Sequence, residues 1–261
     1  MKLSIITINK NNCECLKNTI KSVLGQSFEY FEFIVIDATS DDGSVEIIKK
    51  YEKDIDYWTS EPDNGIYQAM NKGIKKAKSE YCLFLNSGDW LFDENVLASV
   101  FNLSFDDDII YGHQLIQKNT EFVEDICLDP QYLTFGNLRK SHLPHQSTFI
   151  KRNLFQQIGL YNENNKIVSD WEFMMVALFR YNCSIRRIDV PIAVYDLNGI
   201  SNSPSLMQLQ LQERKKVLAE QFPRIIPDYQ RFDAFLDKPY IRYIMKMKNI
   251  KKKLDDLFNS F

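Results

Sequence analysis

The chain has 261 residues, 44% of them apolar and 13% aromatic, enough to bury a substantial core in one or two domains. A formal net charge of −3 argues against a general nucleic-acid binder, whose footprint is basic, and only 9 glycines and 8 prolines exclude collagen-like or disordered character. No apolar run is long enough to span a membrane.

The N-terminal "MKLSIITI" lacks a secretory apolar region and a small-residue cleavage site, so it reads as a first strand. Its β-branched run at residues 3–8 suits a strand buried on both faces. Leu16, Ile20, Val23 and Leu24 then recur at helical spacing within 13–25. "FEFIVIDATSDDGS" (31–44) is a second buried strand ending in acids, small residues and a glycine, and 44–53 reads as helical, with Asp42 as its N-cap. Residues 56–79 give a short strand, a turn at Asp63-Asn64-Gly65 and a helix, and 81–85 form a further strand. This alternation predicts an α/β fold with a mostly parallel, doubly wound sheet flanked by helices.

The strand at 81–85 runs straight into Asn86, Ser87, Gly88 and Asp89. Ligands bind at the carboxyl ends of strands in parallel sheets, so Asp89 is a site candidate. The competing reading makes Ser87 or Asp89 the cap of a helix through 93–101. Asn9, Asp37, Asp63 and Asp89 all follow strands, and together they favour a shared site over four independent caps.

The second half is less regular. Residues 108–117 and 121–128 resemble antiparallel strands, and 145–163 supply a strand beginning at His145-Gln146 and a short helix ending near Gly159. A capped apolar helix is expected at 169–183, one or two strands and a loop at 184–201, and helix from 205 onward. The five cysteines, Cys13, Cys15, Cys82, Cys127 and Cys183, form no CxxC pair, which argues against zinc or a disulfide framework and fits a reducing, cytoplasmic setting.

Six motifs in order, "SIITINKN", "FIVIDATSDDGS", "EPDNGIYQAMNKGI", "YCLFLNSGDWL", "HQSTFIKR" and "SDWEF", resemble the family 2 glycosyltransferases over roughly residues 2–200. That family has the GT-A fold. The resemblance implies one GT-A domain, with a nucleotide-sugar-binding half at 1–100 and an acceptor-binding half at 101–204, followed by a C-terminal helical extension at 205–261. It also implies transfer of a sugar, from a UDP-sugar at the family level, to an acceptor hydroxyl with inversion. The setting would be cell-surface polysaccharide or glycolipid assembly, and Mg²⁺ or Mn²⁺ would sit on the diphosphate.

By the same resemblance Asp89 holds the cation, which suits a hard ion bound by one or two carboxylates and phosphate oxygens. Asn86 and Gly88 stand where many relatives carry acids, and Gly88 lets backbone and donor ribose approach closely. Asp37 would accept a hydrogen bond from the nucleobase, or serve only as a turn residue, and Thr7 and Asn9 would line the same pocket. Asp63 is either a nucleoside contact or ordinary turn chemistry. Asn71 would also bind the nucleotide-sugar; it follows Met70, where many relatives have arginine, and Lys72 is a substitute cation or simply solvated. Asp170 matches the aspartate that takes the acceptor proton, with Ser169 replacing a preceding acid and Glu172 expected to face away; without the resemblance, Ser169 or Asp170 reads as a helix cap. His145 would meet the diphosphate or the acceptor, or sit satisfied in the interior. Tyr67, Trp90 and Trp171 either stack on a sugar or pack in the core.

Two other functions stay open: a catalytically silent nucleotide-sugar binder or assembly protein, and a nucleotidyltransferase, although the glycine-rich basic loop of that class is absent after strand one. Residues 238–253 hold seven basic residues and no acid. A basic amphipathic helix through 238–258 would lie peripherally on an anionic membrane carrying lipid-linked acceptors, or pack on protein.

Overall fold

Four parallel strands carry the N-terminal half: β1 (Leu3–Asn9), β2 (Phe31–Asp37), β3 (Tyr57–Ser60) and β4 (Tyr81–Phe84), in the spatial order β3-β2-β1-β4. This computed structural model describes residues 1–118, 121–125, 128–196 and 204–247. Every residue of β1 is buried because helices cover both faces of the sheet, which is why its sequence runs apolar without alternation. On one face Leu16, Ile20 and Val23 of α1 (Cys13–Leu24) and Ile48 of α2 (Ser44–Lys50) join Leu3, Ile5, Phe33 and Val35 in one core cluster. On the other lies α3 (Ile66–Lys76), so close at Gly73 that a Cβ there would stand 2.4 Å from Cγ2 of Ile6. Each large aliphatic side chain enclosed this way contributes about 1.5–3 kcal/mol.

The buried carboxylate of Glu32, on β2, accepts from the Ser4 and Ser79 hydroxyls and from the backbone N–H groups of Lys78 and Ser79. It thereby fixes the entry to β4. Burial alone would push its pKa up, but these donors outweigh it and hold the carboxyl below the usual range.

Beyond β4 the sheet changes character. In chain order come β5 (Trp90–Leu91), α4 (Val96–Phe101), β6 (Ile109–Lys118), β7 (Glu121–Asp125), α5 (Phe135–Leu138), β8 (Thr148–Lys151), α6 (Leu154–Gln157), α7 (Ser169–Phe179) and β9 (Ile185–Tyr195). The sheet continues β4-β8-β6-β9-β5, with β7 paired to β6; β8 is antiparallel to both neighbours and β9 runs parallel to β6. The chain thus leaves β1 toward β3 and returns on its other side at β4, which puts a topological switch point at the carboxyl ends of β1 and β4.

Several local expectations are corrected. The helix expected at 93–101 starts at Val96 with Asn95 as its N-cap, so neither Ser87 nor Asp89 caps it. The N-cap of α7 is Val168, not Ser169 or Asp170. Gly43, in a left-handed conformation at φ +96°, takes the cap position expected of Asp42, and the Asp42 carboxylate instead accepts from Ser44 and from the Cys13 N–H that opens α1. His145–Ser147 make a 3₁₀ turn, and the strand starts only at Thr148.

The chain divides into two compact units, Met1–Arg214 and Lys215–Phe261. α8 (Met207–Gln221) and α9 (Ile226–Leu236) are followed by further helix at 239–247. Among the described residues no helix is long and apolar enough to cross a membrane.

Candidate active site

The switch point opens into a cavity of about 480 Å³. Its walls come from the end of β1 and the loop into α1 (Asn9, Lys10, Asn12), the turn before α3 and its first turns (Asp63, Tyr67, Met70), the turn after β4 (Asn86, Ser87, Asp89), His145, Lys166, Asp170 and Asp196.

Asp89 is only 5% exposed. Its backbone is fixed by its own N–H donating to the Asn86 carbonyl at 2.9 Å and by the Thr19 hydroxyl donating to its carbonyl at 2.7 Å. The Asp196 N–H donates to Oδ1 at 3.0 Å. Burial pushes this carboxyl up to about 6, with His145 acting in the opposite sense. Between Asp89 and Ser87, Gly88 adopts φ +112°, and a Cβ there would come within 2.9 Å of Asp196 Oδ2. Glycine is needed at this point both for the left-handed backbone and for the room. Two carboxylates therefore flank one glycine turn.

That donor set fits a hard divalent cation. Among the described residues no group of three or more His, Cys, Asp or Glu side chains could hold a metal ion, so a cation at this turn would need further oxygens from a ligand such as a phosphate.

Asp170 stands on the first turn of α7, which is anchored by Trp171 Nε1–H donating to the Leu138 carbonyl at 2.9 Å and by the Asn162 N–H donating to Ser169 Oγ at 2.6 Å. The Tyr67 hydroxyl donates to Asp170 Oδ1 at 2.7 Å, and His145 Nδ1 lies 3.5 Å from Oδ2. Burial pushes the Asp170 pKa up, but the His145 and Tyr67 contacts outweigh it and leave the carboxyl below its ordinary value, hence ionised at neutral pH. His145 is raised: burial works against its charge, but Asp170 and Asp89 prevail. Its Nε2 lies 3.1 Å from Asn86 Nδ2. Glu172 turns away, accepting from Asn165 Nδ2 at 2.7 Å.

Of the nine residues expected at a site, Asn9, Asp63, Asp89, His145 and Asp170 line the cavity, whereas Thr7, Asp37, Asn71 and Gly88 do not. Thr7 is fully buried and donates its hydroxyl to the Leu85 carbonyl at 2.7 Å, tying β1 to the end of β4. Asp37 is also fully buried; it accepts from Asn9 Nδ2, from the Ser40 N–H and hydroxyl, and from the Ser60 hydroxyl, at 2.6–2.9 Å. Asn71 is spent on Tyr161 and Glu163 across the interior. Asp63 receives the Gly65 N–H at 3.1 Å while lining the cavity, so it is both turn residue and wall. Lys72 donates to the Pro62 carbonyl at 2.9 Å and does not line the cavity.

Asp196 and the Tyr67 hydroxyl are the contributions that sequence reasoning missed. Asp196 closes the apolar run "IAVYD" just as Asp37 closes "FIVID", so the same strand-end rule finds it once applied to β9. Nothing in the sequence reveals where Tyr67 spends its hydroxyl.

The family model described as Glycosyl transferase family 2 matches residues 4–159. A PGL/p-HBAD biosynthesis glycosyltransferase of Mycobacterium bovis is 28% identical over 207 residues, covering 77% of this chain and 79% of that protein. Among solved structures, S. aureus TarS 1–349 aligns in its UDP complex with TM-score 0.62 at 20% identity over 75% of this chain; its UDP-GlcNAc complex gives 0.64 at 18% over 85%. This chain spans only 60% of TarS in the UDP complex and 68% in the other. Mannosyltransferase PcManGT from Pyrobaculum calidifontis, in complex with GDP-Man and Mn²⁺, aligns with TM-score 0.58 at 14% identity, over 87% of this chain and 64% of that one. At these identities the structural likeness establishes the GT-A fold alone.

Proposed function

This chain belongs to glycosyl transferase family 2, and from that premise we propose that it moves a sugar from a UDP-sugar to an acceptor hydroxyl with inversion at the anomeric carbon. The observation that carries the reading is that two carboxylates, the half-buried Asp170 and the buried Asp89, line the same cavity, the first held by Tyr67 and His145 and the second at the glycine turn. The bound UDP and UDP-GlcNAc of TarS support the uridine donor by likeness.

In this proposal the nucleoside lies against Asn9, Ala38 and Asp63, with Asp37 behind them fixing Asn9 and the Ser40 loop. The diphosphate lies at the glycine turn, where Asp89 and Asp196 would hold Mg²⁺ or Mn²⁺. When bound, that ion neutralises the charge gathering on the departing diphosphate. The acceptor hydroxyl approaches from the side of Asp170, which takes its proton as the oxygen forms its bond to the anomeric carbon. The bond from that carbon to the diphosphate oxygen breaks, and its electron pair leaves with the nucleoside diphosphate. Asp170 suits this task because its contacts keep it unprotonated, and Met70, buried where many relatives carry arginine, leaves the charge-neutralising work to the turn.

The acceptor is proposed to be a saccharide, free or lipid-linked, in surface polysaccharide or glycolipid assembly. Residues 238–258 would supply peripheral membrane contact; 248–258 lie outside the described residues.

A panel of nucleotide-sugars with Mn²⁺ or Mg²⁺ tests the proposal, following nucleoside diphosphate release. One donor should turn over in a cation-dependent way. Asp170→Asn should lower the rate by about 100-fold or more while donor binding persists, and Asp89→Ala should weaken donor binding and its cation requirement. Binding without turnover under every condition would favour a silent nucleotide-sugar binder. Failure to bind any nucleotide-sugar would sink the reading.

A further inference from the structure

We propose that Tyr67, His145 and Asn86 form a clamp that sets the orientation of Asp170 and ties it to the glycine turn bearing Asp89. This rests on the reading of Asp170 as the proton acceptor. The three are positioning residues, each acting through the carboxylate or through its neighbour.

The clamp is built from separate elements. Tyr67 sits at the start of α3, only 4% exposed as a residue, and its hydroxyl is spent on Asp170 Oδ1 at 2.7 Å. Burial, reinforced by the Asp170 charge, holds the Tyr67 hydroxyl well above its usual pKa, so it remains the donor. Oδ2 faces His145 Nδ1 at 3.5 Å, from the 3₁₀ turn before β8. A carboxylate approached on each oxygen by a different element is restrained from rotating, while Asp170 still lines the cavity.

The far side of the imidazole reaches the turn after β4, with Nε2 3.1 Å from Asn86 Nδ2. With a single proton on Nδ1, toward Asp170, Nε2 accepts from the amide nitrogen; in the charged ring Nε2–H donates instead, and the neutral amide can turn its otherwise unpartnered Oδ1 toward it. Asn86 is thus suited to its place by being neutral. A carboxylate at this position would compete for the imidazole proton and draw His145 from Asp170.

Other charged or titratable groups act on the same pair. The Arg214 guanidinium, 4.8 Å over the Trp171 ring, and the Tyr161 hydroxyl sense the Asp170 charge, and Asp89 acts on His145. Arg214 favours the ionised carboxylate, and Asp89 favours the charged imidazole.

Two measurements test the clamp. The chain has three histidines, so the ring nitrogens can be assigned in long-range ¹H–¹⁵N spectra with single His→Gln variants. His145 should carry a proton on Nδ1 in the ligand-free protein, and its signals should move in Asp170→Ala and Asn86→Asp. A neutral ring protonated only on Nε2 would overturn the clamp, whether or not any donor turns over. With the donor found in the screen, Tyr67→Phe keeps the buried ring and removes only the hydroxyl. It should cut kcat roughly 10- to 100-fold, with donor KM within about twofold, and move the acid limb of the kcat profile to higher pH. Asn86→Asp should lower kcat rather than raise it. Unchanged kcat and acid limb in Tyr67→Phe, in a variant with wild-type thermal stability, would also overturn the proposal.

Discussion

Asp37 and Asp170 are both carboxylates held ionised, yet their surroundings separate their tasks. Asp37 has two serine hydroxyls, a backbone N–H and an amide directed at it and no exposure, whereas the Asp170 side chain keeps 24% of its surface open. Burial raises the Asp37 pKa, but the donors of Ser40, Ser60 and Asn9 outweigh it and leave the carboxyl below its usual value. A folded pKa below the unfolded one means stability that is fully present above the unfolded value of about 3.9 and is lost as pH falls through the folded value. Asp37→Asn should therefore lower Tm by about 3–10 °C at pH 7. The gap from wild type should hold down to about pH 4 and shrink below it. Thermal melts across that range check this, and a gap that closes well above pH 4 would contradict it.

At the scale of elements, two glycines fix where helix and turn meet the sheet. Gly73 brings α3 onto β1, and a Cβ would stand 2.4 Å from Ile6 Cγ2. Gly73→Ala gains about 1 kcal/mol of helix propensity and meets an overpacking cost of about 1–3 kcal/mol, so a net loss of up to about 2 kcal/mol is expected in denaturant unfolding. A rise in the midpoint would mean that α3 can yield at this point. Gly88→Ala combines a backbone at φ +112° with a contact 2.9 Å from Asp196 Oδ2. It should weaken donor binding more than it changes global stability, as isothermal titration beside a melt would tell. The first four motifs made the N-terminal half legible, because a strand enclosed on both faces leaves polar residues only at its ends. The second half was less legible because β8 is antiparallel to both its neighbours and β9 is paired with a strand far away in sequence, and partners of that kind leave no local pattern.

For the whole molecule, the described part of the C-terminal segment has helix at 239–247 with Tyr240, Tyr243, Ile244 and Met247 exposed, beside Lys238, Arg242 and Lys246. Apolar side chains among cations match an anionic lipid surface. The full chain should float with anionic vesicles, a chain ending at Asp237 should float less, and neutral vesicles should capture neither. Equal flotation of both chains would remove the membrane contact from the proposal. By itself the sequence determined the strand–helix alternation, the family and the acids placed at strand ends, because burial on two faces and turn chemistry are local demands on residue type. Only the tertiary structure decided which of those polar residues face the cavity. Thr7, Asp37 and Asn71 are consumed by interior partners, while Tyr67, Asn86, His145 and Asp196 reach the site from α3, the β4 turn, the 3₁₀ turn and β9. That choice depends on hydrogen bonds between residues far apart in the chain, and apart from the strand-end position of Asp196 no local pattern encodes it.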